Sequence, residues 1–157
     1  MNAVDILTKD HREVDALIAE LEQADEKSSG SDGYRNTFER LVSALAVHMQ
    51  AEEQIFYPAM RQFQEEEDMV VEAYDEHNLV KGLLVQMNEL EPSSPEFQEN
   101  LKQVKAGIEH HVTEEEGEMF PDAQEKLGET RLSEMGERIM ELKNQADPSQ
   151  TFSAKLS

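Results

Sequence analysis

Apolar residues recur along this chain at intervals of three and four, and strand-like alternation is absent, so the pattern predicts helices throughout. The first stripe, Leu7, Val14, Ile18 and Leu21, predicts a helix from about Ala3 to Glu26, and His11 falls inside that stripe. Ser28 to Gly33 reads as a turn that can cap the next helix. A second helix runs to about Phe63, with Phe38, Leu41, Leu45, His48, Glu52 and Ile55 on one face. Pro58 should kink it or begin a new turn. The third helix covers roughly Glu66 to Leu90, with Val70, Tyr74, His77, Leu84 and Met87 facing inward. Pro92 and Pro95 break the pattern, and Ser94-Pro95 suits the start of a helix. A fourth helix then runs to about Lys126, with Leu101, Val104, Ile108, His111 and Glu115 inward and Gly128 as its end. Leu132, Met135, Ile139 and Leu142 predict a short amphipathic helix docked on the rest, followed by a polar tail expected to be disordered.

Short connections between long helices make neighbours antiparallel. The expected fold is all-α: an up-down-up-down four-helix bundle over residues 1–128, an extra short C-terminal helix over 129–146 and a tail over 147–157. His11 lies about 15 residues before the first inter-helix turn and His48 about 15 after it. At 1.5 Å per residue both sit roughly 22 Å from that turn. His77 and His111 give nearly the same arithmetic about the next hairpin. All four histidines are therefore expected at one height, one from each helix.

The chain also carries one device twice. His48 is followed by Glu52 at +4, Glu53 at +5, Tyr57 at +9 and Pro58 at +10. His111 is followed by Glu115, Glu116, Phe120 and Pro121 at the same offsets. Residues four apart share a helix face, so each copy presents an imidazole and a carboxylate together. Buried carboxylates without partners cost several kcal/mol each, and a cation reverses that cost. Nitrogen and oxygen donors suit iron, manganese or zinc, and two carboxylates are able to bridge a pair of ions. The expected metal residues are His11, His48, Glu52, His77, His111 and Glu115. His110 with Glu114 makes a competing +4 pair, without a counterpart in the first copy. Glu53 and Glu116 are expected behind the ligands or on the surface, and Tyr57 and Phe120 as packing residues that dry the site. Lys81 either turns inward to a carboxylate or yields the core position to Val80.

The net charge of −21 disfavours nucleic acid and anionic membranes as partners. With no cysteine, disulfides, thiolate ligands and iron–sulfur clusters are excluded. Neither a signal peptide nor a stretch of roughly 18 apolar residues is visible, so the cytoplasm is the expected location. The methionines are expected to fill gaps in the core.

His11, His48-x3-Glu52, His77 and His111-x3-Glu115, each pair with its trailing proline, resemble the hemerythrin-like, or HHE cation-binding, family over about residues 5 to 125. The ferritin-like pattern, Glu-x-x-His, fits less well. The resemblance implies two non-haem iron ions bridged by Glu52, Glu115 and an oxo or hydroxo group. His11 and His48 would bind one ion, and His77 and His111 the other. It further implies a function in binding or sensing dioxygen or a related small ligand. A di-iron oxidoreductase consuming peroxide or nitric oxide, or an iron buffer, is the alternative. A redox partner or a second copy of the chain would complete the system. Two departures stand out. Oxygen carriers of the family have a further histidine where Lys81 stands, and usually Asp where Glu115 stands. Both weaken simple oxygen carriage and strengthen peroxide, nitric oxide or sensing chemistry.

Overall fold

The computed structural model describes residues 1–23, 30–146 and 155–156. Among them there is no strand, and the chain forms a helical bundle. The order is α1 (Ala3–Gln23), α2 (Gly30–Ala51), a π-helical turn (Glu52–Phe56), α3 (Tyr57–Met60), a 3-10 turn (Gln64–Glu66), α4 (Glu67–Asn88), α5 (Pro95–Glu114), a second π-helical turn (Glu115–Met119) and α6 (Phe120–Gln145). α1 packs on α2 and α4 on α5, giving two hairpins, while α6 also lies along α1.

The ends follow from local chemistry. The backbone N–H of Asp5 donates to Asn2 Oδ1 at 3.0 Å, and the N–H of Asn2 donates to Asp5 Oδ2 at 3.0 Å, a reciprocal cap that starts α1. Ser94 Oγ accepts from the N–H of Phe97 at 3.2 Å, with Pro95 in the first helical position, as the Ser-Pro pair predicts. Some boundaries differ from expectation. The turn placed at 28–33 is already helix from Gly30, and the predicted end of the first helix at Glu26 lies outside the described residues. The second helix gives way at Pro58, as expected, through a π-turn that leads into α3, and the fourth is interrupted by a π-turn before Pro121. The extra C-terminal helix is present as expected: it is the second arm of α6, and the first arm ends at Gly128. Gly128 (φ 80°, ψ 166°) bends α6 there, a conformation that a side chain would strain.

That second arm is docked, with Leu132, Met135 and Ile139 buried. Gly136 allows the approach. A Cβ there would meet Met1 O at 2.6 Å and the Asn2 carbonyl carbon at 3.0 Å, both backbone atoms. Gly136→Ala is therefore expected to cost about 1–3 kcal/mol, the range for overpacking, read as a lower thermal midpoint. An unchanged midpoint would show that the N-terminal segment moves aside freely. The expected disordered tail falls outside the described residues except for Lys155 and Leu156. Leu156 is buried against the bundle, and Lys155 Nζ donates to Ser43 Oγ at 3.1 Å.

The core is divided in two. One apolar cluster, including Val14, Ile18, Leu41, Leu45, Leu84, Phe97 and Leu101, fills the hairpin-turn end. Another, including Leu7, Phe56, Met60, Val70, Met119, Phe120 and Leu132, fills the opposite end. Between them lies a polar layer. Apart from Asn2 and Glu66, every buried polar or charged side chain among the described residues belongs to it.

Candidate metal centre

The layer is built by the two π-turns, and proline explains why they form. In an α-helix, Pro58 would leave the carbonyl of Gln54 without its N–H donor and press its ring against it; Pro121 would do the same to Gly117. Widening the preceding turn by one residue relieves both. The N–H of Tyr57 bonds to the carbonyl of Glu52, and that of Phe120 to Glu115, each five residues back. Tyr57 and Phe120 thus stand over the two glutamates, where helical counting would place Phe56 and Met119.

All six sequence-predicted residues converge and are buried. Glu52 Oε1 is 3.1 Å from His48 Nε2, 3.1 Å from His77 Nε2 and 3.7 Å from His111 Nε2. Glu115 reaches across in the same way, with Oε1 3.1 Å from His11 Nε2 and Oε2 3.2 Å from His111 Nε2. Within the buried layer, potential ligand atoms gather in two groups, one from His11, His48, Glu52 and Glu115, the other from Glu52, His77 and His111; a third, more exposed group comes from Glu72, Glu76, His110 and Glu114. His11 Nε2, His48 Nε2, Glu52 Oε2 and Glu115 Oε1 are buried without a hydrogen-bond partner, although His11 Nε2 stands 3.1 Å from Glu115 Oε1 and His48 Nε2 stands 3.1 Å from Glu52 Oε1. Close approach without hydrogen-bond geometry is what atoms aimed at a shared cation show. The buried His/Glu cluster is able to bind metal.

Every one of these imidazoles is held from behind. Nδ1 of His48 meets Asp10 at 2.9 Å, and Nδ1 of His77 meets Glu53 at 2.7 Å. Nδ1 of His111 meets Glu76 at 2.8 Å, and Nδ1 of His11 meets Glu116 at 2.7 Å. An Nδ1–H donated to a carboxylate fixes the tautomer and turns Nε2 inward, the arrangement of ligating histidines. Three of the four carboxylates are backed in turn by Lys or Arg, and the fourth has a second imidazole near it. Lys143 Nζ lies 2.6 Å from Asp10 Oδ1, and Lys81 Nζ lies 3.2 Å from Glu53 Oε2. Arg12 pairs with Glu116, and His110 Nε2 is 3.3 Å from Glu76 Oε2.

These contacts settle several open readings. Glu53 and Glu116 stand behind the histidines. Lys81 pairs with a carboxylate, and Val80 is also in the core. His110 does form its +4 pair with Glu114, at 3.3 Å, but its side chain is 61% exposed and outside the buried layer. Tyr57 corrects an expectation. It is buried, but it is not only packing: its hydroxyl donates to Glu115 Oε2 at 2.6 Å and lies 3.3 Å from His77 Nε2 and 3.2 Å from His111 Nε2. Phe120 stacks on His11 with ring centroids 5.7 Å apart, as a drying residue should.

Without a cation, protons carry the positive charge. Burial lowers the affinity of His48 for a proton, but Glu52 and Asp10 more than reverse this and raise its pKa to about 10. His77 and His111 are also raised against the pull of burial, by Glu52 with Glu53 and by Glu115 with Glu52 and Glu76. Glu52, pushed up by burial, is held well below the carboxylate range by His48 and its hydrogen-bonding neighbours. Burial and the two glutamates keep Tyr57 a neutral phenol.

A small cavity of about 30 Å³ adjoins the four histidines, with Val14, Leu45, Val80 and Ile108 among its walls. It is large enough for a molecule of water or dioxygen size. A far larger groove, about 990 Å³, runs outside along α1, α2 and α6 and contains none of the six residues.

The profile of the Hemerythrin HHE cation binding domain matches residues 2–123. The chain belongs to this hemerythrin family. Among relatives of the hemerythrin-like chain, a DNA nickase of a Nostoc species is 34% identical over 120 residues, covering 76% of this chain and 33% of that protein. An uncharacterized hemerythrin-like protein of Schizosaccharomyces pombe is 27% identical over 127 residues, covering 80% of this chain and 61% of its own length. This chain thus spans a third to three-fifths of the curated relatives it matches. The crystal structure of a hemerythrin HHE cation binding domain-containing protein from Mycobacterium kansasii superposes with a TM-score of 0.77 at 24% identity. The match covers 92% of this chain and 86% of that one, and supports the fold.

Sequence reasoning missed Asp10, Glu76 and the hydroxyl of Tyr57. A signal for the first two existed: an acidic residue directly precedes the histidine in both α1 and α4. In this chain the full device is acid-His on one helix and His-x3-Glu-Glu on the next, written twice.

Proposed function

We propose that this chain holds two non-haem iron ions between His11, His48, Glu52, His77, His111 and Glu115, and binds or senses dioxygen or a related small ligand there. The observation that carries this reading is the buried convergence of these six side chains from all four helices, with Nε2 of His11 and His48 and one oxygen each of Glu52 and Glu115 left without a hydrogen-bond partner. The donor set is nitrogen and oxygen alone, which suits iron and also admits manganese or zinc. A pair of irons would supply reversible binding and electron exchange with dioxygen, peroxide or nitric oxide. The protein's own part is to orient the imidazoles through Asp10, Glu53, Glu76 and Glu116, and to exclude water with Phe120 and the apolar walls. It also keeps a proton on Tyr57 within reach of the site.

A second reading, an oxidoreductase consuming peroxide or nitric oxide, is favoured by two observations. Lys81 stands where an oxygen carrier would have another histidine, and Tyr57 offers an O–H beside His77 and His111. An iron buffer remains the reading without redox work. The nickase name of the Nostoc relative belongs to a protein of which a third is matched, and a chain of charge −21 is repelled by phosphate. Our reading therefore leaves out nucleic acid. No helix among the described residues is long and apolar enough to cross a membrane, and we place the protein in the cytoplasm, served by a redox partner or a second copy.

Metal analysis with absorption spectra before and after dioxygen, peroxide or nitric oxide tests the proposal. Two irons per chain and a ligand-dependent spectrum are expected; a metal-free protein that takes up no iron would overturn it. Rapid loss of peroxide would favour turnover, and a long-lived oxygenated spectrum would favour carriage. In His111→Ala, one ion per chain is expected to remain, bound by the His11–His48 group. Full occupancy in that variant would remove His111 from the ligand set.

A further inference from the structure

The family match ends at residue 123, yet one support of the polar layer comes from beyond it. Asp10 is 7% exposed, and both of its oxygens are engaged: Oδ2 by Nδ1 of His48 at 2.9 Å, and Oδ1 by Lys143 Nζ at 2.6 Å. Lys143 lies in the last turn of α6, on the arm after the bend at Gly128. We propose that Lys143 is a positioning residue for the metal half-site containing His48, so that the C-terminal arm completes the centre. This rests on the metal reading given above.

The physical case is a chain of three contacts. A carboxylate this buried needs two partners to keep its rotamer. With Lys143 removed, Asp10 keeps only the histidine and turns its free oxygen toward water at the bundle edge. The Nδ1 bond that fixes the His48 ring then loosens, and Nε2 loses its aim. Partners behind metal ligands affect affinity by about 10–100-fold. The arm itself does not depend on this contact, because Leu132, Met135 and Ile139 hold it by burial and the reciprocally capped N-terminus packs on Gly136. Lys81 and Arg12 play the corresponding part for His77 and His11 from within the family-matched segment.

The test is anaerobic Co(II) titration of the full chain by absorption, with chelator competition, in wild type, Lys143→Met and Lys143→Arg. Lys143→Met should weaken one of the two ions about tenfold and leave the other unchanged. Lys143→Arg, which restores a cation at the same reach, should recover the affinity. The same Lys143→Met change in a His48→Ala background should have no further effect. Equal affinities in Lys143→Met and wild type would overturn the inference while leaving the metal reading intact. Equal weakening of both ions together with a lower metal-free thermal midpoint would also overturn it, since that marks general loosening of the arm. Wild type taking up no Co(II) or iron would overturn both.

Discussion

Replacing Glu52 by alanine should abolish metal uptake in both halves of the centre, where His111→Ala abolishes it in one. Glu52 is the residue common to both buried groups of ligand atoms, and its Oε1 lies 3.1 Å from an Nε2 of each hairpin. Its side chain is fully buried, so neither solvent nor a neighbour takes its place. The loss in affinity should exceed the roughly 100-fold that marks the upper end for outer partners. Elemental analysis after dialysis is the readout, and two retained ions would remove the bridging role from Glu52. The metal-free protein should suffer as well. Taking one carboxylate from among protonated imidazoles leaves buried charge without its partner, at a cost of about 3–5 kcal/mol. Circular dichroism of metal-free Glu52→Ala against Glu52→Gln separates lost volume from lost charge.

Metal-free protein should lose stability as pH rises from about 6.5 to 10, while metal affinity rises over the same range. The folded pKa of His48 is raised from 6.5 to about 10, and those of His77 and His111 are raised too. A group whose folded pKa is raised binds protons more tightly in the native state. Its contribution is therefore complete below 6.5 and is lost as pH climbs through the folded value. Metal needs the same imidazoles deprotonated, so uptake releases protons and strengthens with pH. Thermal scans with and without chelator should diverge as the buffer becomes more alkaline, and a pH-stat should register proton release on loading. Parallel curves would mean that the imidazoles are already neutral in the metal-free fold.

What the chain declared in advance, and what it did not, divides by the range of the interaction. His48 and Glu52 were legible as a pair because four residues along a helix is a local distance, and His111 with Glu115 repeated it. The common height of four histidines followed from rise per residue and short connections. Asp10 and Glu76 escaped because each sits about 100° round its helix from the neighbouring histidine and serves a different helix altogether. Lys143 escaped more completely, since its partner is 133 residues away. Tyr57 failed for a different reason: counting by 3.6 assumes an unbroken helix, and the π-turn before Pro58 resets the count. The proline at +10 is the local cause of that reset, because it forces the wider turn that places Tyr57 over Glu52.

The pairing of outer carboxylates with histidines gives the molecule an exchange between its halves. His11, from the first hairpin, is gripped by Glu115 and Glu116 of the second, and His77, from the second, is gripped by Glu52 and Glu53 of the first. Neither hairpin is self-sufficient. Two separately expressed fragments, cut between α3 and α4, would each lack half of the other's clasp and should recover a working centre when mixed. A chain organised in this way has the form of a dimer whose two members have been spliced into one.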